Sequence, residues 1–266
     1  MADRYAVIGN PVAHSKSPWI HAEFARQTGD AIEYGAIEAP LGGFAAAVGA
    51  FRAAGGRGLN VTLPFKQEAF RYCRDATARA RAAAAVNTLS FAGEAVSGDN
   101  TDGAGLVTDL ESNLGFAIAG RRVLLLGAGG AARGVVGPLL ERAPAALAIA
   151  NRTVARGEAL AAAFRGVRAT GFEGLAGESF DLVVNATSAG LEDRAPPLPP
   201  GIFAAGALAY DMVYGRETPF LRLARAAGAA ARDGLGMLVE QAAESFLVRR
   251  GVRPRTAPVL EALRRG

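Results

Sequence analysis

Apolar runs of four to six residues alternate with amphipathic or alanine-rich stretches along the whole of this chain, and that alternation restricts its fold more than any other feature. Strands covered on both faces read as short continuous apolar runs, and the stretches between them supply the covering helices. The pattern occurs twice. Strands are expected at residues 5–9, 32–37, 58–62 and 86–91, then at 122–126, 147–151, 180–185 and 208–212. In the first helix Ser17 is the expected N-cap, Pro18 suits the first helical position and Gly29 the C-terminal stop.

With 266 residues the chain exceeds most single cores, so two α/β domains are expected. The first is an open α/β domain of residues 1–102, completed by 236–266. The second, 103–235, is Rossmann-like. A helix over 103–114 bridges them and another over 237–249 returns to the first, with hinges near Asp102 and Gly234. No apolar run is long enough to span a bilayer, and the N-terminal residues pass into a strand without the order of a signal peptide, so a cytoplasmic protein is expected. Cys73 alone cannot form an intramolecular disulfide, and only His14 and His21 could add nitrogen ligands, so no metal site is expected. His14 is read as a loop support, and His21 as a structural residue of the first helix. The net charge of +4 is spread along the chain without a basic cluster or interleaved aromatics, which argues against nucleic acid as a partner.

In the second half, Val123-Leu124-Leu125-Leu126 runs into Gly127-Ala128-Gly129-Gly130-Ala131-Ala132. A turn without side chains lets backbone amides and a helix N-terminus approach a pyrophosphate, so this is a variant of the dinucleotide fingerprint. The next strand ends Ala150-Asn151-Arg152-Thr153, with Arg156 one turn on. An NAD site keeps a carboxylate there for the ribose hydroxyls. Here two arginines stand ready to pair with a 2′-phosphate, which favours NADP.

Two lysines, Lys16 and Lys66, stand against 27 arginines. Arginine stays protonated in proteins, whereas a lysine can be tuned to exchange a proton, so a chain settled on arginine has reason to keep lysine where proton chemistry is needed. Lys66 closes Asn60-Val61-Thr62-Leu63-Pro64-Phe65-Lys66. The serines of Gly9-Asn10-Pro11-Val12-Ala13-His14-Ser15-Lys16-Ser17-Pro18, with free helix amides, can bind a carboxylate. Ala85-Val86-Asn87-Thr88-Leu89 and Gly98-Asp99-Asn100-Thr101-Asp102 add an amide and a carboxylate at strand ends, where ligands of open α/β sheets gather.

These segments, followed by GAGGA, NRT, NATSAG, DMVYGRETPF and DGLGMLVEQAAESF in the same order, resemble the shikimate dehydrogenase family over almost the whole length. The resemblance implies reversible hydride transfer between NADP(H) and C3 of a polyhydroxylated cyclohexene carboxylate, with Lys66 as acid/base and Asp102 beside it. It implies that Ser15, Ser17 and Tyr214 hold the substrate carboxylate, and that Thr62, Asn87, Asp102 and Gln241 hold the ring hydroxyls. It assigns Gly127, Ala128, Gly129, Gly130, Ala131, Asn151, Arg152, Thr153 and Arg156 to NADP, with Thr187, Met212 and Gly234 on the nicotinamide side. The partners implied are small molecules, for a monomer or homodimer. Three positions depart from the family pattern: Ala78 replaces an acidic residue, Ala84 replaces a glycine, and the segment after Tyr214 reads Gly215-Arg216-Glu217. Two other readings stay open. One is a quinate-oxidising relative of broader specificity. The other is an NADPH-binding sensor without catalysis, which would need no lysine and carboxylate facing a nicotinamide.

Overall fold

A computed structural model describes residues 2–187 and 193–265. The chain divides into two compact units, one of residues up to Gly105 together with those from Leu238 onward, the other of Leu106–Met237. Both divisions fall inside helices and not in loops.

The first unit runs β1 (Asp3–Gly9), α1 (Ser17–Thr28), β2 (Ile32–Glu38), α2 (Phe44–Ala53), β3 (Gly56–Val61), α3 (Lys66–Tyr72), β4 (Asp75–Ala76), α4 (Ala78–Ala83), β5 (Thr88–Ala92) and β6 (Ala95–Asp99), and leaves through α5 (Asp102–Thr108). Its sheet has the order β2-β1-β3-β5-β6-β4. Strands β1, β2 and β3 are parallel, but β5 runs antiparallel to both β3 and β6. The sheet is therefore mixed. The apolar run at 86–91 belongs to a hairpin whose second strand has the alternating pattern of a half-covered strand, which a search for continuous apolar runs passes over.

Helix α1 buries Ser17, Ile20, His21, Phe24 and Ala25, the i, i+3, i+4 stripe of a helix lying on a core. Ile20 and Phe24 pack with Val239, Ala242, Ala243 and Phe246, while Ala6, Ile8, Leu59 and Val61 pack with Phe44, Val48, Phe65 and Ala69. Each of the larger side chains among them, Val, Leu, Ile or Phe, contributes about 1.5–3 kcal/mol when fully buried. Gly29 ends α1 in the left-handed region, at φ 74°. Its start differs from expectation. Lys16 occupies the N-cap position, already with helical backbone angles, and Ser17 is the first helical residue.

The second unit continues with a π-helical turn at Asp109–Asn113, then β7 (Arg122–Leu126), α6 (Gly130–Leu140), β8 (Ala146–Ala150), α7 (Val154–Ala161), β9 (Val167–Thr170), β10 (Phe180–Asn185), β11 (Phe203–Asp211), α8 (Pro219–Ala226) and β12 (Ala230–Arg232). All six strands are parallel, in the order β12-β11-β10-β7-β8-β9. That is the doubly wound dinucleotide-binding order, with its reversal between β7 and β10. Helix α9 (Leu235–Arg250) leads back to the first unit, and α10 (Ala257–Arg265) closes the described chain. No helix among the described residues is long and apolar enough to cross a membrane.

Ala84 ends α4 at φ 46°, in the left-handed region where a Cβ is strained. Ala84→Gly is expected to relieve about 1 kcal/mol and raise the melting midpoint by roughly 2–4 °C, net of the freedom glycine adds to the unfolded chain. Calorimetry of the two proteins checks this, and an unchanged or lower midpoint contradicts it.

Candidate active site

In the first unit the strand order reverses at β1, which has β2 on one side and β3 on the other, so the loops after β1 and β3 leave the sheet in opposite directions and open a crevice. The two loops are nevertheless joined. Thr62 N donates to Ile8 O at 2.9 Å and Asn10 N donates to Leu63 O at 3.0 Å. Gly9 makes that approach possible, since a Cβ there would lie 2.4 Å from Thr62 Cγ2. Past Gly9, Ser15 Oγ accepts from Ser17 N at 3.3 Å. Thus Ser15, not Ser17, supplies the hydroxyl that caps the start of α1. Ser15 and Thr62 are half-buried, and Ser17 is buried.

Lys66 opens α3, immediately after the loop that follows β3. Its Nζ donates to Asp102 Oδ2 at 2.6 Å. The pair is largely withdrawn from solvent, with the side chains 15% and 5% exposed. The second carboxylate oxygen, Asp102 Oδ1, accepts from Asn87 Nδ2 at 2.9 Å. That amide group also faces Thr101 Oγ1 at 2.9 Å and Gln241 Oε1 at 3.2 Å, while Asn87 Oδ1 accepts from Thr101 N at 2.9 Å. Gln241, on α9, donates to Leu238 O at 2.8 Å. Lys66, Asn87, Asp102 and Gln241 are thus one cluster. Asn87 enters it through the strand direction: because β5 is antiparallel, its N-terminal end lies at the edge where β3 and β6 end.

Sequence reasoning missed two members of this cluster as site residues. Thr101 Oγ1 donates to Gln241 O at 3.0 Å, and Asn100 Oδ1 accepts from Asp102 N at 3.1 Å while its Nδ2 donates to Ala85 O at 3.0 Å. The signal available was a run of four short polar residues, Asp99 to Asp102, that the structure buries completely. Such a run must satisfy its own hydrogen bonds, which fixes its shape.

In the second unit, Gly127 N donates to Ala150 O at 2.8 Å, tying the glycine turn to the end of β8. Gly127 has φ 104°, and a Cβ there would press on Ala186 and Thr187 at 3.2 Å. Gly129 is the N-cap of α6 and offers no side-chain cap, while a Cβ built on it meets nothing within 4 Å. The first-turn amides of α6 at Gly130, Ala131 and Ala132 thus receive no side-chain cap from Gly129, which leaves the helix start suited to a pyrophosphate. Beyond β8, Asn151 Nδ2 donates to Thr153 O at 2.7 Å and Thr153 is the N-cap of α7. Arg152 and Arg156 are exposed, with no ion pair to a protein carboxylate among the described residues. A cation beside a helix N-terminus opposes the macrodipole, so these guanidinium groups suit an added anion better than the bare fold. The residues present fit a phosphorylated dinucleotide.

Beside that turn, Thr187 Oγ1 donates to Asn185 Oδ1 at 2.7 Å, and Met212 N donates to Asn185 O at 2.9 Å. A Cβ on Gly234 would lie 2.5 Å from Met212 O, so only glycine permits this contact. Burial pushes the neighbouring Asp211 carboxyl above the ordinary carboxylate range, against the pull of the Thr218 hydroxyl 2.5 Å away. Tyr214 is half-buried and belongs to this second unit, whereas Ser15 and Ser17 belong to the first. The end of the NATSAG segment, Ser188 to Gly190, lies with Leu191 and Glu192 outside the described residues. Among the described residues, no group of three or more His, Cys, Asp or Glu side chains is placed to hold a metal ion.

A buried lysine–carboxylate pair on one α/β unit, with a glycine turn and unpaired cations on a doubly wound parallel sheet, defines a dinucleotide-dependent oxidoreductase. The chain belongs to the shikimate dehydrogenase family. Residues 7–89 match the family model described as shikimate dehydrogenase substrate binding domain, and residues 110–192 match that described as shikimate / quinate 5-dehydrogenase. It is 61% identical to a shikimate dehydrogenase (NADP(+)) of Methylobacillus flagellatus, over 98% of this chain and 99% of that one. It is 62% identical to the protein of the same name from Aromatoleum aromaticum, over 99% and 97%. The crystal structure of shikimate 5-dehydrogenase from Thermus thermophilus in complex with NADP(H) and shikimate superposes with a TM-score of 0.88 at 38% identity, covering 99% of each chain.

Proposed function

We propose that this chain is an NADP-dependent shikimate dehydrogenase that interconverts 3-dehydroshikimate and shikimate, a step of aromatic amino acid biosynthesis. The observation that carries the reading is the Lys66–Asp102 pair, 2.6 Å apart and mostly buried, at the strand edge of a chain about 60% identical to proteins of that name. The first unit is the substrate domain and the second binds NADP. Bound NADPH supplies the hydride. Lys66 Nζ gives its proton to the oxygen that gains charge at C3, and in the oxidising direction takes it back. Asp102 holds the ammonium group in place and, with Asn87 fixing its other oxygen, keeps one carboxylate edge directed at the lysine. Thr62, Asn87, Asp102 and Gln241 meet the ring hydroxyls, and Ser15 and Ser17 with the start of α1 meet the carboxylate. Gly127 to Ala131 cradle the pyrophosphate and Arg152 and Arg156 the 2′-phosphate. Thr187, Met212 and Gly234 border the nicotinamide. The enzyme works in the cytoplasm on small molecules, as a monomer or homodimer.

Shikimate is the preferred acid over quinate. Quinate adds a hydroxyl at C1, beside the carboxylate, so discrimination arises at the Ser15 and Ser17 end of the site. Excluding an added hydroxyl by shape is worth about 10²-fold. The specificity constants for both acids with NADP are expected to differ by up to that factor in favour of shikimate. A quinate value equal to or above that for shikimate overturns the choice, and absence of turnover with either acid overturns the function.

A further inference from the structure

We propose that Arg79 is a positioning residue for the reaction, acting through Asp99 on the Lys66–Asp102 pair and through Glu244 on the helix that carries Gln241. Arg79 stands in the first turn of α4, where the helix dipole disfavours a cation, so its acceptors must account for its orientation. Its Nε and Nη2 make a bidentate pair with Asp99 Oδ1 and Oδ2, both at 2.7 Å, and its Nη1 donates to Glu244 Oε1 at 3.0 Å. Asp99 Oδ1 also accepts from Thr77 Oγ1 at 2.6 Å and from Asn100 N at 2.7 Å. Burial works to raise the Asp99 carboxyl, but these donors, Arg79 first among them, hold it below the ordinary carboxylate range.

From Asp99 the connection to the reacting pair is short. Asp99 O accepts from Asn87 N at 3.0 Å, Asn87 Nδ2 donates to Asp102 Oδ1, and Asp102 Oδ2 accepts from Lys66. The other arm reaches α9. Glu244 Oε2 accepts from Arg253 Nη1 at 2.7 Å, and Arg253 Nη2 donates to Glu240 Oε2 at 2.9 Å, so acidic partners flank Gln241 on the same helix. Asn87 faces Gln241 in turn. One guanidinium therefore ties the end of β6, three residues before Asp102, to the helix bearing Gln241, and a planar fork fixes both directions where an ammonium would fix one.

This inference rests on Lys66 and Asp102 being the reacting pair, and a double-mutant cycle on the full chain separates the two claims. Arg79→Met is expected to lower the turnover number about tenfold in the natural background but by less than about twofold when Lys66 is already Ala, because groups acting as a unit are not additive. The Michaelis constant for NADP, bound by the other unit, should stay unchanged, and Arg79→Lys should recover part of the loss. All assays are run well below each variant's own melting midpoint. Should Arg79→Met not fold, Glu244→Gln carries the same cycle with a smaller expected loss. Equal losses in both backgrounds, or a lowered midpoint with full turnover, overturn the positioning role. Full turnover in Lys66→Ala alone overturns the reading beneath it.

Discussion

Replacing Lys66 with Ala is expected to lower the turnover number by about 10²-fold or more, the usual scale for general acid–base catalysis, with a much smaller change in the Michaelis constant for shikimate. The lysine makes its closest contact with Asp102, and its removal leaves a carboxylate that is 5% exposed without its counter-ion. A buried charge that loses its partner is destabilising, so the melting midpoint should fall as well. Lys66→Arg separates the two effects. It keeps a cation beside Asp102 and should recover stability, but a guanidinium does not release its proton and the broader fork does not match the ammonium's position. Steady-state rates in both directions, with calorimetry on the same samples, make the check. Near-normal turnover in either variant would remove Lys66 from the chemistry.

The double substitution of Arg152 and Arg156 with Ala is expected to weaken NADP by roughly tenfold to a hundredfold, as loss of charge-assisted hydrogen bonds of about 1.5–3 kcal/mol predicts, and to leave NAD nearly unchanged. Both guanidinium groups are solvent-exposed and lack a protein carboxylate among the described residues, so removing them should disturb the unit very little. Dissociation constants for the two cofactors, measured by titration without substrate, isolate this step from catalysis. Equal losses for NADP and NAD would mean that the turn following β8 had been damaged and that neither side chain reads the 2′-phosphate.

The nucleotide unit was the more legible half. Its strands at Arg122–Leu126 and Phe180–Asn185 have the expected bounds because both are buried nearly throughout and stop at glycine or polar residues. Strands β9 and β12, by contrast, were not anticipated. Val167–Thr170 and Ala230–Arg232 are short edge strands in which small or polar residues replace the apolar run. In the first unit the dipeptide Gly93-Glu94, between Ala92 and Ala95 that pair across the hairpin, was the available sign that the chain doubles back. Missing it hid β6 and the antiparallel direction of β5. The catalytic candidates were nevertheless within reach, since lysine scarcity and the polar strand ends pointed to Lys66 and Asp102. Gln241 depended on resemblance, as one amide on a long helix carries no signal of its own. Arg79 and Asp99 drew no attention because an ion pair between a helix and a strand end is invisible until the sheet order is known.

That hairpin has a consequence for how insertions are tolerated. The two-residue turn at Gly93-Glu94 sets the pairing of Thr88 with Asp99 at the other end of the strands, and hence the separation of Asn87 from Asp102. One extra residue forced into that register would slide the partner strand by about 3.4 Å and exchange its two faces. Loops are ordinarily where a lineage can lengthen a protein freely. Here a turn at the far end of the two strands works as a gauge block for the Asn87–Asp102 contact, so its length is tied to a hydrogen bond made at their opposite end.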